Sequence, residues 1–225
     1  LDLIGLQWKA NHSGGEGNCA AGLATKKLLS GIAFKFPLKP ARGQLNFFQI
    51  EKSSDWFSRL PTAIICGDGY CLPRTPLSNG NLRWIVGSSF DENETDLAAR
   101  QTSQEWSREQ AAGLIQFMDG NKKELLPDGE FVGVRCVAGD RLPIIGAVPQ
   151  YPGIFVASAL GSRGILWAAL AAKLIADQVL AGDFALLTRL GFTSALAAAL
   201  APDRFLAGAL ASNSNPILPS GPKAR

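Results

Sequence analysis

Two arginines flank a short apolar run in which glycine recurs. Gly133-Val-Arg-Cys-Val-Ala-Gly-Asp-Arg-Leu-Pro-Ile-Ile-Gly146 carries Arg135, and Ala159-Leu-Gly-Ser-Arg-Gly-Ile-Leu166 carries Arg163. A guanidinium offers a planar fork matched to a carboxylate. Glycine removes the side chain where backbone must touch a ligand. The apolar segment from about Gly164 predicts a helix whose N-terminus aims free N–H groups and a positive dipole end at whatever lies before it. Together these residues suit an anionic ligand held beside a flat cofactor.

Other chemistries are poorly served. His12 is the only histidine, so no Ser/His/Asp or Cys/His set can be assembled around a nucleophile. The same shortage argues against a metal centre: Cys19, Cys66, Cys71 and Cys136 are scattered, with no CxxC pair. Scattered thiols read most simply as belonging to a reducing cytoplasm. A net charge of +3 permits a nucleic-acid partner without arguing for one, because no Lys/Arg run marks a phosphate track. The longest apolar run, Ile165 to Leu180, is interrupted by Lys173 and Asp177, so no membrane span is expected. With 225 residues and 47% hydrophobic content, the chain can bury one large core or two small ones.

The elements that must position the arginines follow from local pattern. Pro37 and Pro40 keep the backbone extended and deliver Arg42-Gly43-Gln44 to a region of short strands. Those strands are expected at Leu45–Ile50, Thr62–Cys66, Tyr70–Arg74 and Leu82–Gly87, with Asn79-Gly80 as a hairpin turn. A helix is expected from Glu94 to Met118, although Gly113 weakens it. Pro127-Asp-Gly129 then predicts a turn into a strand Phe131–Val137. Ile154–Ser158 reads as a buried strand, Gly161 to Gly164 as the turn into a helix Ile165–Leu180 that stops at Gly182, and Ser194–Leu200 as an alanine-rich helix. The tail from Ser212 reads as disordered. The fold class is α+β, an antiparallel sheet domain beside an α/β remnant.

The pattern G-V-R-x-x-x-x-D-R-x-P-x-x-G, a short strand and A-L-G-S-R-G-x-x-x-A resembles the C-terminal part of the D-amino-acid-oxidase-like flavoenzymes. The A-L-G-S-R-G form is most similar to the oxidase module of the bifunctional tRNA 5-methylaminomethyl-2-thiouridine biosynthesis enzymes. Cys19-Ala-Ala-Gly-Leu, Arg42-Gly-Gln44, Gly67-Asp-Gly-Tyr70 and Pro202-Asp-Arg-Phe205 extend the likeness from about Cys19 to Phe205. The resemblance implies FAD as cofactor, in contact with Ala21, Gly22, Arg42, Gly43, Gln44, Gly161, Ser162, Gly164, Ile165 and Leu166. It implies that Arg135 clamps a substrate carboxylate, that Arg163 is a second cation and that Tyr70 walls the substrate. Arg141 is expected to be structural, beside Asp140 and Pro143. The implied substrate is the carboxymethylaminomethyl group of a wobble 2-thiouridine in tRNA, oxidised to aminomethyl with loss of glyoxylate. An S-adenosylmethionine-dependent methyltransferase module, the implied partner, lies outside this chain.

A family member should open with a strand, a G-x-G-x-x-G turn and a helix that cradle the dinucleotide pyrophosphate. Gly14-Gly-Glu-Gly17 lacks an apolar strand before it and reads as a loop, so the chain is expected to be a fragment. The expected division is residues 1–43 (FAD-domain remnant and crossover), 44–130 (antiparallel substrate domain), 131–210 (return to the FAD domain) and 211–225 (tail). Two alternatives remain: a glycine-oxidase-like enzyme acting on a free amino acid, and a chain without catalysis that binds a ligand or is half of a split enzyme.

Overall fold

A computed structural model describes residues 17–115, 125–181, 188–189 and 191–206. Two compact units emerge, one formed by residues 1–38 and 138–225, the other by 39–137. The chain is α+β. The end of the expected Glu94–Met118 helix, Gly182 and the tail lie outside the described residues.

In the first unit, β1 (Gly17–Cys19) pairs in parallel with β10 (Ile154–Ser158), and β10 pairs antiparallel with β9 (Ile144–Ala147). A 3-10 turn (Gly22–Ala24) and α1 (Thr25–Leu28) follow β1. A second 3-10 turn (Gly161–Arg163) follows β10 and leads into α3 (Gly164–Ala181). Ala171 and Leu174 of α3 pack with Ile145 and with Leu200 of α4 (Ser194–Leu200), and Trp167, Leu170 and Ile175 surround them. Thr193 caps α4, its hydroxyl accepting from the Leu196 amide at 3.2 Å. Arg204, from the Pro202-Asp-Arg-Phe205 segment, donates to Asp140 at 2.8 and 3.3 Å and to the carbonyls of Leu142, Leu200 and Ala201. Asp140 therefore pairs with Arg204, while the Arg141 amide closes the same turn on the Ala138 carbonyl at 3.0 Å. No described helix is long and apolar enough to cross a membrane.

The second unit is built on β2 (Leu38–Ile50), which pairs antiparallel with β6 (Leu82–Gly87) and with β7 (Asp91–Glu92), and also pairs with β8 (Leu126–Ala138). β4 (Gly69–Cys71) joins β6 to β3 (Ile65–Gly67), and β5 (Thr75–Pro76) returns onto β6 through the turn at Asn79-Gly80. From Gln44 on, side chains of β2 alternate, and its buried face meets α2 (Gln101–Leu114). At one end that interface is apolar, with Phe48, Ile50, Trp84, Val86 and Ala111 buried together. At the other end it is polar: Arg42, Gln44 and Asn46 face Ser103 and Ser107.

Two expectations are corrected here. Residues 94–100 are not helical. Their backbone is drawn out to satisfy Arg42, which donates to the carbonyls of Asp96 (2.9 Å) and Ala98 (2.6 Å). Pro127-Asp-Gly129 is not a turn before the strand but already part of β8. Pro127 is its second residue, near the strand start where proline is tolerated, and Asp128 is fixed by Arg83 at 2.6 Å.

Candidate functional site

Arg135 lies in the middle of β8, and its guanidinium passes over β2 where Gly43 has no side chain. A Cβ on Gly43 would stand 2.6 Å from the Arg135 Cζ, closer than real contacts allow. The guanidinium donates to the Ser88 hydroxyl and to the Ser89 carbonyl, and lies 5.7 Å from the Phe90 ring centroid. Among the described residues no carboxylate forms an ion pair with it. Burial pulls its pKa below the ordinary arginine value, and the nearby Tyr70 and Asp91 partly offset this. Arginine stays protonated regardless. The result is a half-buried cation held by neutral groups, which is the arrangement that an incoming anion stabilises most.

Tyr70 is half-buried on β4, in register with Gly87 of β6, and close enough to Arg135 to act on its charge. The structure thus brings Tyr70, Gly43 and Arg135 together. Beside them opens a cavity of about 550 Å³, lined by Gly69, Ser88, Ser89, Phe90, Asp91 and Trp106 among others. Ser88, Ser89 and Phe90 close the stretch Ile85-Val-Gly-Ser-Ser-Phe90, which with Gly67-Asp-Gly-Tyr70 resembles the family's substrate-domain hairpin. That resemblance assigns a role only to Tyr70, and Trp106 reads from sequence as helix core.

Arg42 and Gln44 are spent on structure. Arg42 is fully buried, its donors taken by Asp91 (2.8 Å), the Gln44 amide oxygen (2.9 Å), Ser103 (3.5 Å) and the two carbonyls above. Gln44 accepts from the Arg100 amide at the start of α2 and donates to Asn46 and to the Arg100 carbonyl. The Gln44 backbone is engaged as well, its amide donating to the Ser89 hydroxyl at 3.1 Å and its carbonyl accepting from the Ser89 amide at 3.2 Å.

The other expected cofactor residues lie in the first unit. Ala21 and Gly22 follow β1, and Gly161 and Ser162 follow β10, at the carboxyl ends of a parallel pair, where α/β sheets bind ligands. Gly22 (φ 55°) and Gly161 (φ 59°) adopt the left-handed conformation that glycine takes without steric cost. Ser158, at the end of β10, donates to the Gly22 carbonyl at 3.0 Å and meets the buried Thr25 hydroxyl at 3.4 Å, locking the first turn to the second strand. An apolar cavity of about 350 Å³ is lined by Gly17 to Ala21, Leu28, Leu29 and Ile154. Gly164, Ile165 and Leu166 form the first turn of α3, with Ile165 96% exposed and no acidic residue in that turn. Small residues, left-handed turns and an acid-free helix start fit a flat, electron-rich cofactor such as FAD. Arg163 is exposed at the end of the second 3-10 turn, and so belongs to this unit, whereas Arg135 belongs to the other.

Known proteins agree with this geometry. The chain is 38% identical over 198 residues to the tRNA 5-methylaminomethyl-2-thiouridine biosynthesis bifunctional protein MnmC of Ralstonia nicotianae, covering 77% of this chain and 28% of that protein. It is 34% identical over 163 residues to the protein of the same name from Burkholderia multivorans, covering 63% and 23%. The chain therefore spans about a quarter of the length of these relatives. Solved structures of L-proline dehydrogenase from P. horikoshii (TM-score 0.60, 18% identity, 85% of this chain and 47% of that one) and glycine oxidase from Geobacillus kaustophilus (TM-score 0.55, 20% identity, 71% and 40%) share the fold. The family described as FAD dependent oxidoreductase matches residues 11–178, three-quarters of the sequence and both of the turns that follow β1 and β10. A chain with these turns, this sheet and this match belongs to the FAD dependent oxidoreductase family.

Proposed function

We propose that this chain is the substrate-side and flavin-edge part of an enzyme that oxidises the carboxymethylaminomethyl group on the wobble 2-thiouridine of tRNA to aminomethyl. The observation that carries the reading is the half-buried Arg135, held by Ser88, Ser89 and Phe90 without a carboxylate partner among the described residues. A substrate ending in a glycine-like carboxylate supplies the missing charge, at about 1.5–3 kcal/mol for a charge-assisted hydrogen bond. The 38% identity to a tRNA 5-methylaminomethyl-2-thiouridine biosynthesis protein supports the tRNA substrate over other amines.

In this reading Ala21, Gly22, Gly161, Ser162, Gly164, Ile165 and Leu166 of the first unit would hold FAD. FAD bound there would supply the hydride acceptor for oxidising the carbon between amine and carboxylate. Arg135 fixes the carboxylate and so the orientation of that carbon. Tyr70 limits where the arm can swing, Arg163 adds a second positive charge, and water then releases glyoxylate and leaves the aminomethyl group. Because the chain spans part of its relatives, an S-adenosylmethionine-dependent methyltransferase acting on the product belongs to the same proposal, as does action in the cytoplasm.

The test compares turnover of carboxymethylaminomethyl-modified tRNA with turnover of glycine and sarcosine, with FAD supplied. Glyoxylate released from the tRNA, with little from the free amino acids, is the expected result. Robust oxidation of glycine with an inert tRNA would establish the glycine-oxidase-like alternative instead. The same fold in glycine oxidase from Geobacillus kaustophilus keeps that second reading in play.

A further inference from the structure

Arg135 needs only a carboxylate, and that leaves the cavity beside it unexplained. About 550 Å³ falls in the range of pockets that bury drug-sized ligands. A free glycine would leave most of it to water. Its walls are specific. Trp106, on α2, and Phe90, between β6 and β7, are the two aromatic side chains that line it. Ser88, Ser89, Thr102 and Ser103 supply hydroxyls around them, those of Ser88 and Ser103 already accepting from Arg135 and Arg42. Asp68 and Asp91 supply carboxylates that can accept from the N–H edge of a base. Glycine at position 69 lets the indole close over the β3–β4 turn, since a Cβ there would stand 3.3 Å from the Trp106 ring. Phe90 is 42% exposed, and the Arg135 guanidinium lies over its ring, 5.7 Å from the centroid.

Resting on the tRNA reading, we propose that this cavity is a nucleobase pocket: Trp106 and Phe90 receive the flat face of the thiouracil ring while Arg135 holds the far end of its arm. Flipped-out RNA bases are held by stacking on aromatic side chains and by hydrogen bonds to their edges, and this wall carries both kinds of group. Trp106 and Phe90 are then specificity-determining residues. They select an amine carried on a base over a free amino acid, a choice Arg135 cannot make because both ligands end in the same carboxylate.

The test titrates the chain with two probes, 5-carboxymethylaminomethyl-2-thiouridine nucleoside and sarcosine, which reproduces the arm without the base. Base stacking contributes about 1–3 kcal/mol per base by alanine substitution. Trp106→Ala should therefore weaken nucleoside binding by roughly five- to 150-fold and leave sarcosine unchanged, while Trp106→Phe restores most of the loss. Trp106→Leu, which keeps an apolar side chain without the ring, should shift the same ratio and keeps the test valid if the Trp106→Ala protein folds poorly. Phe90 is left intact because it also supports Arg135. Nucleoside binding unchanged in both Trp106→Ala and Trp106→Leu would overturn the pocket and leave the tRNA reading standing, as would equal losses for both probes. Wild-type protein that binds sarcosine and ignores the nucleoside would sink the tRNA reading and the pocket with it.

Discussion

Gly43→Ala should disable the carboxylate site without touching any charged residue. The added Cβ would stand 2.6 Å from the Arg135 Cζ, so the guanidinium must move off β2. It is the far end of a flexible side chain and can move, but it then leaves the Ser88 hydroxyl and Ser89 carbonyl. Two hydrogen bonds at about 0.5–1.5 kcal/mol each are lost. Replacing glycine by alanine in a strand returns about 0.5–1 kcal/mol. The net cost to stability is thus between about 0 and 2.5 kcal/mol, readable in urea unfolding. The cost to ligand is larger in proportion: a charge-assisted contact of about 1.5–3 kcal/mol corresponds to tenfold to hundredfold weaker carboxylate binding. Calorimetric titration of the carboxymethylaminomethyl nucleoside against wild type, Gly43→Ala, Arg135→Ala and the double variant completes a cycle. Gly43→Ala and Arg135→Ala should each weaken binding, and the double variant should be no worse than Arg135→Ala. Wild-type affinity in Gly43→Ala, or fully additive losses, would refute the idea that Gly43 exists to admit Arg135.

Other predictions follow from the same geometry. Arg42→Met should destabilise the second unit by about 3–5 kcal/mol, because it leaves Asp91 and the 96–98 carbonyls without their donor; a loss under 1 kcal/mol in urea melts would show that the ladder is dispensable. Hydrogen bonds from Arg100 and from the Asp96 and Thr95 amides hold the Glu94 carboxyl at about 2. Its folded pKa is depressed, so its contribution is present above about pH 4.5 and is lost as pH falls toward 2; Glu94→Gln should flatten that acid limb in melts taken across the interval. Burial pushes the Cys71 thiol up to about 12, with Cys66 adding to the shift. Its folded pKa is raised, so this contribution holds below about pH 9 and fades as pH climbs toward 12. At pH 8 a thiol reagent should label the exposed Cys66 first and Cys71 only on unfolding; early labelling of Cys71 would contradict its burial.

Legibility in the sequence tracked how local the cause was. β6, β10 and α4 fall at Leu82–Gly87, Ile154–Ser158 and Ser194–Leu200 as expected, since each is a short periodic run bounded by turn residues or a cap. The stretch from 94 to 100 read as helix because its composition allows one. What prevents it is Arg42, more than fifty residues earlier, whose donors bind those carbonyls. The same long-range bonding hid the fate of Arg42 and Gln44. Asp140 pairs with Arg204 across sixty-four residues, a partner that no local pattern reveals. Around Arg135 the arginine itself was legible from its glycine-rich strand. Its supports were not, because Ser88, Ser89 and Phe90 reach it only through the pairing of β6 and β8 on either side of β2. Trp106 fits a helix core by spacing, and only the cavity it lines distinguishes it.

The visible spectrum of this chain after incubation with FAD and gel filtration tests the central assignment most directly. If residues 21–22 and 161–166 hold the cofactor, the flavin bands should elute with the protein and shift from those of free FAD. A protein that emerges colourless, with all the FAD in the small-molecule fractions, would contradict it.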